Sequence, residues 1–405
     1  MHQINLQKEK MKHLIISAIV FLTFSTQAQD QVNNKYGKGV FNTVAKDSSF
    51  AIKMNMRFQN LFIADTDLDG DLSDNDIATQ FLVRRARLKF GGFAYSPKLT
   101  YKVELGLSSK DVGSPTPYTK DASRIILDAV LKYNFYKNVS VWVGQTKLPG
   151  NRERVISSQK LQFVDRSLVN SKYNLDRDMG LQLRNHHKIG GMVVREAFSI
   201  SQGEGRNIAS DNMGGLDYTS RVEFLPMGKF TSKGDYFGSD LKREEKPKLA
   251  LGVTFDHHNH AARQNGNSKS YLSETRTLNT VFVDMMFKYK GLSIMAEYAD
   301  KKSEGSPVIY EDFGFGSVAM ESFNTGSGIN AQIGYLLKSN WEFAGRYTVI
   351  TPQDVTGRDD VSMYTFGVSR YVAGHYLKIQ SDVSLTQENG SDDNLMYRLQ
   401  VELAF

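Results

Sequence analysis

Cysteine is absent from the 405-residue chain, which excludes disulfide frameworks, thiolate metal centres and cysteine nucleophiles together. Long apolar runs are missing as well: beyond residue 24 no stretch approaches the roughly 20 apolar residues of a membrane-crossing helix. No G-x-S-x-G nucleophile elbow and no G-x-x-x-x-G-K phosphate loop occurs. Charge of one sign is not dominant, with a net charge of +6 from 50 basic and 44 acidic residues. The basic residues are scattered through alternating segments and form no patch interleaved with aromatics, which argues against nucleic acid as a partner. What the chain does hold is 11% aromatic residues, too many for a disordered polymer.

The one apolar run, 14–24 (LIISAIVFLTF), follows Lys12 and precedes Ser25-Thr26-Gln27-Ala28. A charged start, a short apolar stretch and a small-residue exit make residues 1–28 an export signal cut after Ala28, with Met11 as the expected true start. Its loss removes three lysines and Glu9, and the net charge falls to +4. Residues 29–49 are expected to form an N-terminal periplasmic segment, and 50–405 the main body.

That body alternates. In 50–62, Phe50, Ile52, Met54, Met56 and Phe58 fall on one phase and Lys53, Asn55, Arg57 and Gln59 on the other. Strand side chains point to opposite faces with period two, so this is an amphipathic strand. Sixteen such segments follow one another, at 50–62, 79–92, 98–108, 124–135, 139–147, 178–186, 191–201, 216–226, 247–256, 278–289, 291–300, 328–338, 341–350, 361–371, 375–387 and 394–405. Most are of the roughly 9–11 residues that cross an outer membrane at a tilt, longer than the ~5–6 of globular strands. Connections alternate short and long, as in outer-membrane barrels, except for a long 227–246 where a short turn is due. Since lipid leaves no sheet edge unpaired, the expected fold is an all-β, closed antiparallel transmembrane barrel of about 16 strands in the outer membrane of a Gram-negative bacterium. Aromatics cluster near strand ends, among them Phe62, Tyr95, Tyr133, Phe135, Tyr335, Trp341, Tyr371 and Tyr397, where one part of the ring meets lipid and the other water. Phe405 closes the last strand and resembles the terminal signal read by the barrel assembly machinery.

Polar phases point inward and define a conduit. They carry twelve cations, including Arg57, Arg184, Arg221, Arg346, Lys378 and Arg398, against eight acids, including Glu104, Asp128, Glu223, Asp284, Glu297, Glu342, Asp382 and Glu402. Two readings stand: an anion-selective lining, or ion pairs stiffening a general pore. In 81–90 (FLVRRARLKF) the alternation puts Val83, Arg85, Arg87 and Lys89 on the inward face and Arg84 on the lipid face, where it must snorkel. The thirty residues 148–177 lack strand pattern and carry Arg152, Arg154, Lys160, Arg166 and Lys172. So long a connector is either a loop folded into the barrel or an exposed basic loop.

Three runs, 81–90, Val143-Gly144-Gln145-Thr146-Lys147-Leu148-Pro149-Gly150 and Phe163-Val164-Asp165-Arg166-Ser167-Leu168, resemble the phosphate-selective porin O/P family. The resemblance implies a sixteen-stranded, trimeric outer-membrane porin with its third loop, here 148–177, inside the lumen. It also implies anion-binding cations, matched by Arg85, Arg87 and the basic residues of 152–166. The expected pore-lining set is Arg57, Arg85, Arg87, Lys89, Arg152, Arg154, Lys160 and Arg166, acting on small anions such as phosphate or polyphosphate and surrounded by outer-membrane lipid. A weakly selective general porin is the alternative, and a sealed barrel serving as enzyme or adhesin is a third.

One metal pattern stands apart. In 65–76, Asp65, Asp67, Asp69, Gly70, Asp71 and Asp76 follow the spacing of a calcium loop. Structural calcium is one reading and a solvated acidic tip is the other. His257, His258 and His260 are expected in a loop, and the chain is not expected to be an enzyme.

Overall fold

The computed structural model describes residues 36–37, 39–68, 77–113, 115–312 and 317–405. The signal segment and Asp69, Asp71 and Asp76 of the calcium pattern lie outside them.

In chain order the strands are β1 (Phe41–Val44), β2 (Phe50–Leu68), β3 (Ala78–Ala94), β4 (Ser96–Gly106), β5 (Ile126–Tyr136), β6 (Val139–Lys147) and β7 (Arg177–Ile189). There follow β8 (Met192–Ser201), β9 (Asp217–Leu225), β10 (Lys248–Arg263), β11 (Tyr271–Tyr289), β12 (Leu292–Ser303), β13 (Val308–Asp312) and β14 (Ser317–Ser322). The last are β15 (Gly326–Leu336), β16 (Trp341–Pro352), β17 (Val361–Tyr371), β18 (Leu377–Glu388) and β19 (Asp393–Ala404). Leaving out β1 and the β13–β14 hairpin, sixteen strands pair with their neighbours, and β19 pairs antiparallel with β2 to close the barrel. Every segment expected from alternation is one of these sixteen.

Three differences have physical causes. First, the N-terminal segment ahead of the barrel holds a strand that alternation does not mark. This strand, β1, pairs with Ala51–Met54 of β2, continuing the edge that β19 leaves free beyond Arg57. Phe405 N–H donates to the Met56 carbonyl and Tyr36 packs edge-on against the Phe405 ring, so both chain ends cover one backbone edge. Second, several strands outrun their apolar alternation at the long-loop end, because backbone pairing continues where side chains become polar. Hence Asp65 and Asp67 lie on β2, Asn394 donating to the Asp67 carboxylate at 2.9 Å. His257, His258 and His260 likewise sit on β10 rather than in a loop. Third, the long connection 226–247 is real and lies at the short-turn end. Lys288 Nζ donates to the carbonyls of Gly234, Phe237 and Ser239 at 2.7–2.8 Å, tying this connection to the inner wall.

The outer surface is apolar: Leu131, Val143, Leu183, Val253, Ile333, Phe366 and Val401 are all exposed. Aromatics form two bands. Tyr133, Phe135, Tyr335 and Trp341 stand exposed near the short turns. Phe62 against Phe81 (centroids 4.6 Å) and Tyr347 against Tyr364 (5.0 Å) stand near the long loops. Tyr371 leaves the expected band: it is buried, and its hydroxyl donates to Glu342 Oε2 at 2.7 Å.

Candidate functional site

The inner surface is organised by the segment 148–177. Its apolar residues match apolar inward faces of the barrel wall. Leu148, Val169, Tyr173 and Leu175 pack on Phe282, Ala299 and Ile350, and Ile156 and Leu161 on Val193, Leu225, Met286 and Met295. Burying these side chains is worth roughly 1.5–3 kcal/mol each. Ser167 caps the helix Leu168–Tyr173 by accepting from the Asn170 N–H. The Glu153 carboxylate accepts the Ser167 N–H at 3.0 Å, closing the segment on itself.

Acids of β9, β11, β12, β16, β18 and β19 grip this segment and its neighbours. Arg152 is fully buried, donating to Asp284 at 2.6 Å and to Glu223 at 3.2 Å. Glu297 accepts Asn151 Nδ2 at 2.8 Å and the Glu153 N–H at 3.0 Å. Glu342 accepts Gln162 Nε2 at 2.8 Å, Asp382 the Val164 N–H at 3.0 Å, and Glu402 the Arg57 guanidinium at 3.2 Å. Inward glycines make room. A Cβ on Gly334 would lie 2.0 Å from Gln162 Nε2, and one on Gly367 3.0 Å from the Phe163 ring.

The opposite wall is left facing open space. A cavity of about 290 Å³ lies between β3–β7 and the segment. Its lining holds eleven cations, Arg84, Arg85, Arg87, Lys89, Lys102, Lys110, Lys147, Arg154, Arg166, Arg177 and Arg206, against three acids, Glu104, Asp111 and Asp176. A second cavity of about 380 Å³ adjoins it toward the short-turn end, sharing Arg87, Lys89, Glu104 and Ser157 and adding Lys53, Arg57 and Lys160.

Each expected residue can now be placed. Arg85 donates to Gln59 at 2.7 Å and to Asp165 at 3.2 Å. Arg87 bridges Glu104, at 3.0 Å, and Asp111. Lys89 lines both cavities, and no ion pair to it is found among the described residues. Arg57 donates to Ser158 at 2.7 Å, pinning the segment from β2. Arg154 pairs with Asp176, and Arg166 donates to the carbonyls of Glu153 and Ile156 at 2.9 and 2.7 Å. Lys160 lies over the Phe237 ring, 3.7 Å from its centroid. Seven of the eight therefore line the cavities. Arg152 does not, because the acids of the far wall bury it.

Arg84 is a correction. Gln59 pairs with Arg85 and Asn60 with Val83, so Arg84 is the extra residue of a β-bulge. The bulge turns it inward, where it donates to Asp165 at 2.9 Å, and turns Val83 out to the lipid side, 49% exposed. The phase slip was readable: the apolar positions 81 and 83 are out of step with 86, 88 and 90. Burial alone would raise the Asp165 carboxyl, but Arg85 and Arg84 outweigh it and hold it below the ordinary range. Burial, with Lys89 and Lys233 nearby, lowers Lys160 to about 8. Sequence reasoning passed over Lys147, Arg177 and Arg206. The first two sit at the strand ends bracketing 148–177, and Arg206 comes from the next loop to fold over the cavity.

A closed barrel of sixteen membrane-length strands, apolar outside and lined with charge inside, is an outer-membrane porin. The sequence profile described as phosphate-selective porin O and P matches residues 52–398, and the chain belongs to that family. Solved structures agree on the fold. The outer-membrane channel DcaP of Acinetobacter baumannii is 14% identical with a TM-score of 0.54, covering 90% of this chain and 99% of its own. An anion-selective porin from Comamonas acidovorans is 9% identical with a TM-score of 0.52, covering 88% and 100%. A loop-deletion form of OmpT, an outer membrane protein of Vibrio cholerae, is 9% identical with a TM-score of 0.51, covering 87% and 99%. No curated protein matched the sequence.

Proposed function

We propose that this porin passes small anions, phosphate or short polyphosphate among them, through the two adjoining basic cavities, with 148–177 folded into the barrel as the constriction. The observation that carries the reading is the lining of the first cavity, where cations outnumber acids by eleven to three. Guanidinium forks suit phosphate and carboxylate oxygens, and basic rings line anion pores. Arg85, Arg87 and Lys89 run along one strand from the first cavity toward the second, so an anion is passed between cations spaced two residues apart. Part of this lining is paired, Arg84 and Arg85 with Asp165 and Lys102 and Arg177 with Asp128, and the field is carried by Lys89, Lys110, Lys147, Arg166 and Arg206, which form no ion pair among the described residues. The family and the anion-selective porin of Comamonas acidovorans support the same direction. We infer a homotrimer from the family resemblance; cross-linking in native membranes reads it directly.

The test is reversal potential in a planar bilayer under a KCl gradient, with inorganic phosphate then titrated in. Preference for chloride and block by low phosphate are expected. Arg85→Glu with Arg87→Glu should abolish the preference. Unchanged selectivity in that variant would return the arginine stripe to a structural network in a general porin, and a silent protein would favour a sealed barrel.

A further inference from the structure

The short-turn mouth holds another cavity that the anion path does not account for. It measures about 520 Å³ and lies between the inner faces of β6–β9 and the connection 226–247. Its chemistry differs from that of the basic cavity. Trp142, Phe230, Tyr236 and Phe237 give it flat apolar walls among cations.

Trp142 is on the inward phase of β6, where Val139, Val141 and Val143 take the lipid phase. Its indole N–H donates to Ser140 Oγ at 3.2 Å, which fixes the ring. Lys132 Nζ stands 3.7 Å from the ring centroid and the Arg184 guanidinium carbon 4.2 Å from it. The ring quadrupole attracts both cations but carries no net charge to neutralise them. The Arg184 side chain donates to Gln182 Oε1, a neutral acceptor, at 2.7 and 3.0 Å. Of the acids lining the cavity, Glu223 is already engaged by Arg152, Arg195 and Arg221, and Glu196 accepts from Asn185 Nδ2 at 2.8 Å. A half-buried indole beside Arg184, which forms no ion pair among the described residues, thus faces a space large enough for a small organic molecule.

The geometry points to a binding site for organic anions that join a flat apolar body to a terminal phosphate or carboxylate, the body against the Trp142 side of the cavity and the oxyanion on Arg184. Inorganic phosphate uses only the cations; an aromatic phosphate ester uses both. This rests on the reading of the protein as an anion channel, and it narrows the solutes for which the periplasmic mouth is built.

Block of channel current by phenyl phosphate and by inorganic phosphate, each titrated in turn, tests it. Phenyl phosphate is expected to half-block at about tenfold lower concentration, the gain of one aromatic contact. Trp142→Ala should bring the two half-blocking concentrations together, and Trp142→Phe should restore most of the gap. Equal block by the two compounds in the unmodified protein overturns the site while leaving an anion-preferring channel in place. A channel without anion preference overturns the reading beneath it as well. An independent readout avoids the variants of the cavity. The chain has two tryptophans, so Trp341→Phe on the lipid face leaves Trp142 as the sole reporter. A saturable change in its fluorescence with phenyl phosphate, and little with inorganic phosphate, supports the site; no change overturns it.

Discussion

The two inner walls of the barrel use their charges differently. On β9, β11, β12, β16, β18 and β19 the inward acids meet partners at 2.6–3.2 Å, among them backbone N–H groups and Arg152 of 148–177. Across the lumen the cations of β3, β4, β6 and β7 border a cavity; Arg84, Arg85, Arg87, Lys102 and Arg177 are paired with acids there, whereas Lys89 and Lys147 form no ion pair among the described residues. An acid that accepts hydrogen bonds from a folded segment is neutralised locally and contributes little to the field in the lumen. A cation facing solvent in a narrow, low-dielectric passage keeps its field and concentrates counter-ions. A near balance of twelve cations and eight acids on inward phases therefore says little about selectivity. What matters is which charges are consumed by packing.

The largest effect should come from breaking the wall that anchors the segment. Arg152→Ala leaves Asp284 and Glu223 short of a buried partner and should destabilise the protein by about 3–5 kcal/mol. Urea unfolding followed by heat-modifiable gel mobility measures this, and conductance should rise as the segment loosens. A stable, unchanged channel would mean that this wall does not hold the segment.

A gentler break leaves the charges alone. Gly334→Leu drives a side chain into the space of Gln162, whose Nε2 lies 2.0 Å from the position of a Cβ. The barrel strands should persist by circular dichroism. Single-channel conductance and anion preference should both change, because the segment is pushed off its anchoring wall toward the basic cavity. Unaltered preference would show that the wall alone sets selectivity.

The smallest effect sharpens the basic side. Lys160, between the second cavity and the mouth, has its ammonium lowered to about 8 by burial. A lowered lysine is charged below that value and neutral above it. Anion preference should therefore fall modestly as pH rises through about 8, and Lys160→Arg should remove this step from the pH profile of reversal potential. A profile identical in the two proteins would remove Lys160 from the path.

Much of this was legible before any tertiary information. The sixteen strands, the closure, the lipid phase and the basic stripe at Arg85, Arg87 and Lys89 all follow from a period-two pattern, and period two is a local property of extended chain. Features needing two distant pieces of chain were not legible. The bulge at Arg84 was hinted at by a slip in apolar phase, but its inward turn depends on Asp165, some eighty residues away. Phe282 and Met286 were visible as apolar residues on the inward phase of β11, yet their partners belong to 148–177. Trp142 was equally visible on an inward phase, but its flanking cations come from β5 and β7.

The sequence by itself determined a closed outer-membrane barrel, because alternation, strand length and the intolerance of lipid for unpaired backbone leave no other arrangement. Only the tertiary structure decided which of the chain's charges border the cavities. Arg152 and Arg154 stand two positions apart in one segment, yet Arg152 is sealed among the acids of the far wall while Arg154 borders the basic cavity. That outcome is set by where the packed segment lays each side chain, and a one-dimensional pattern of charges does not encode the distances that decide it.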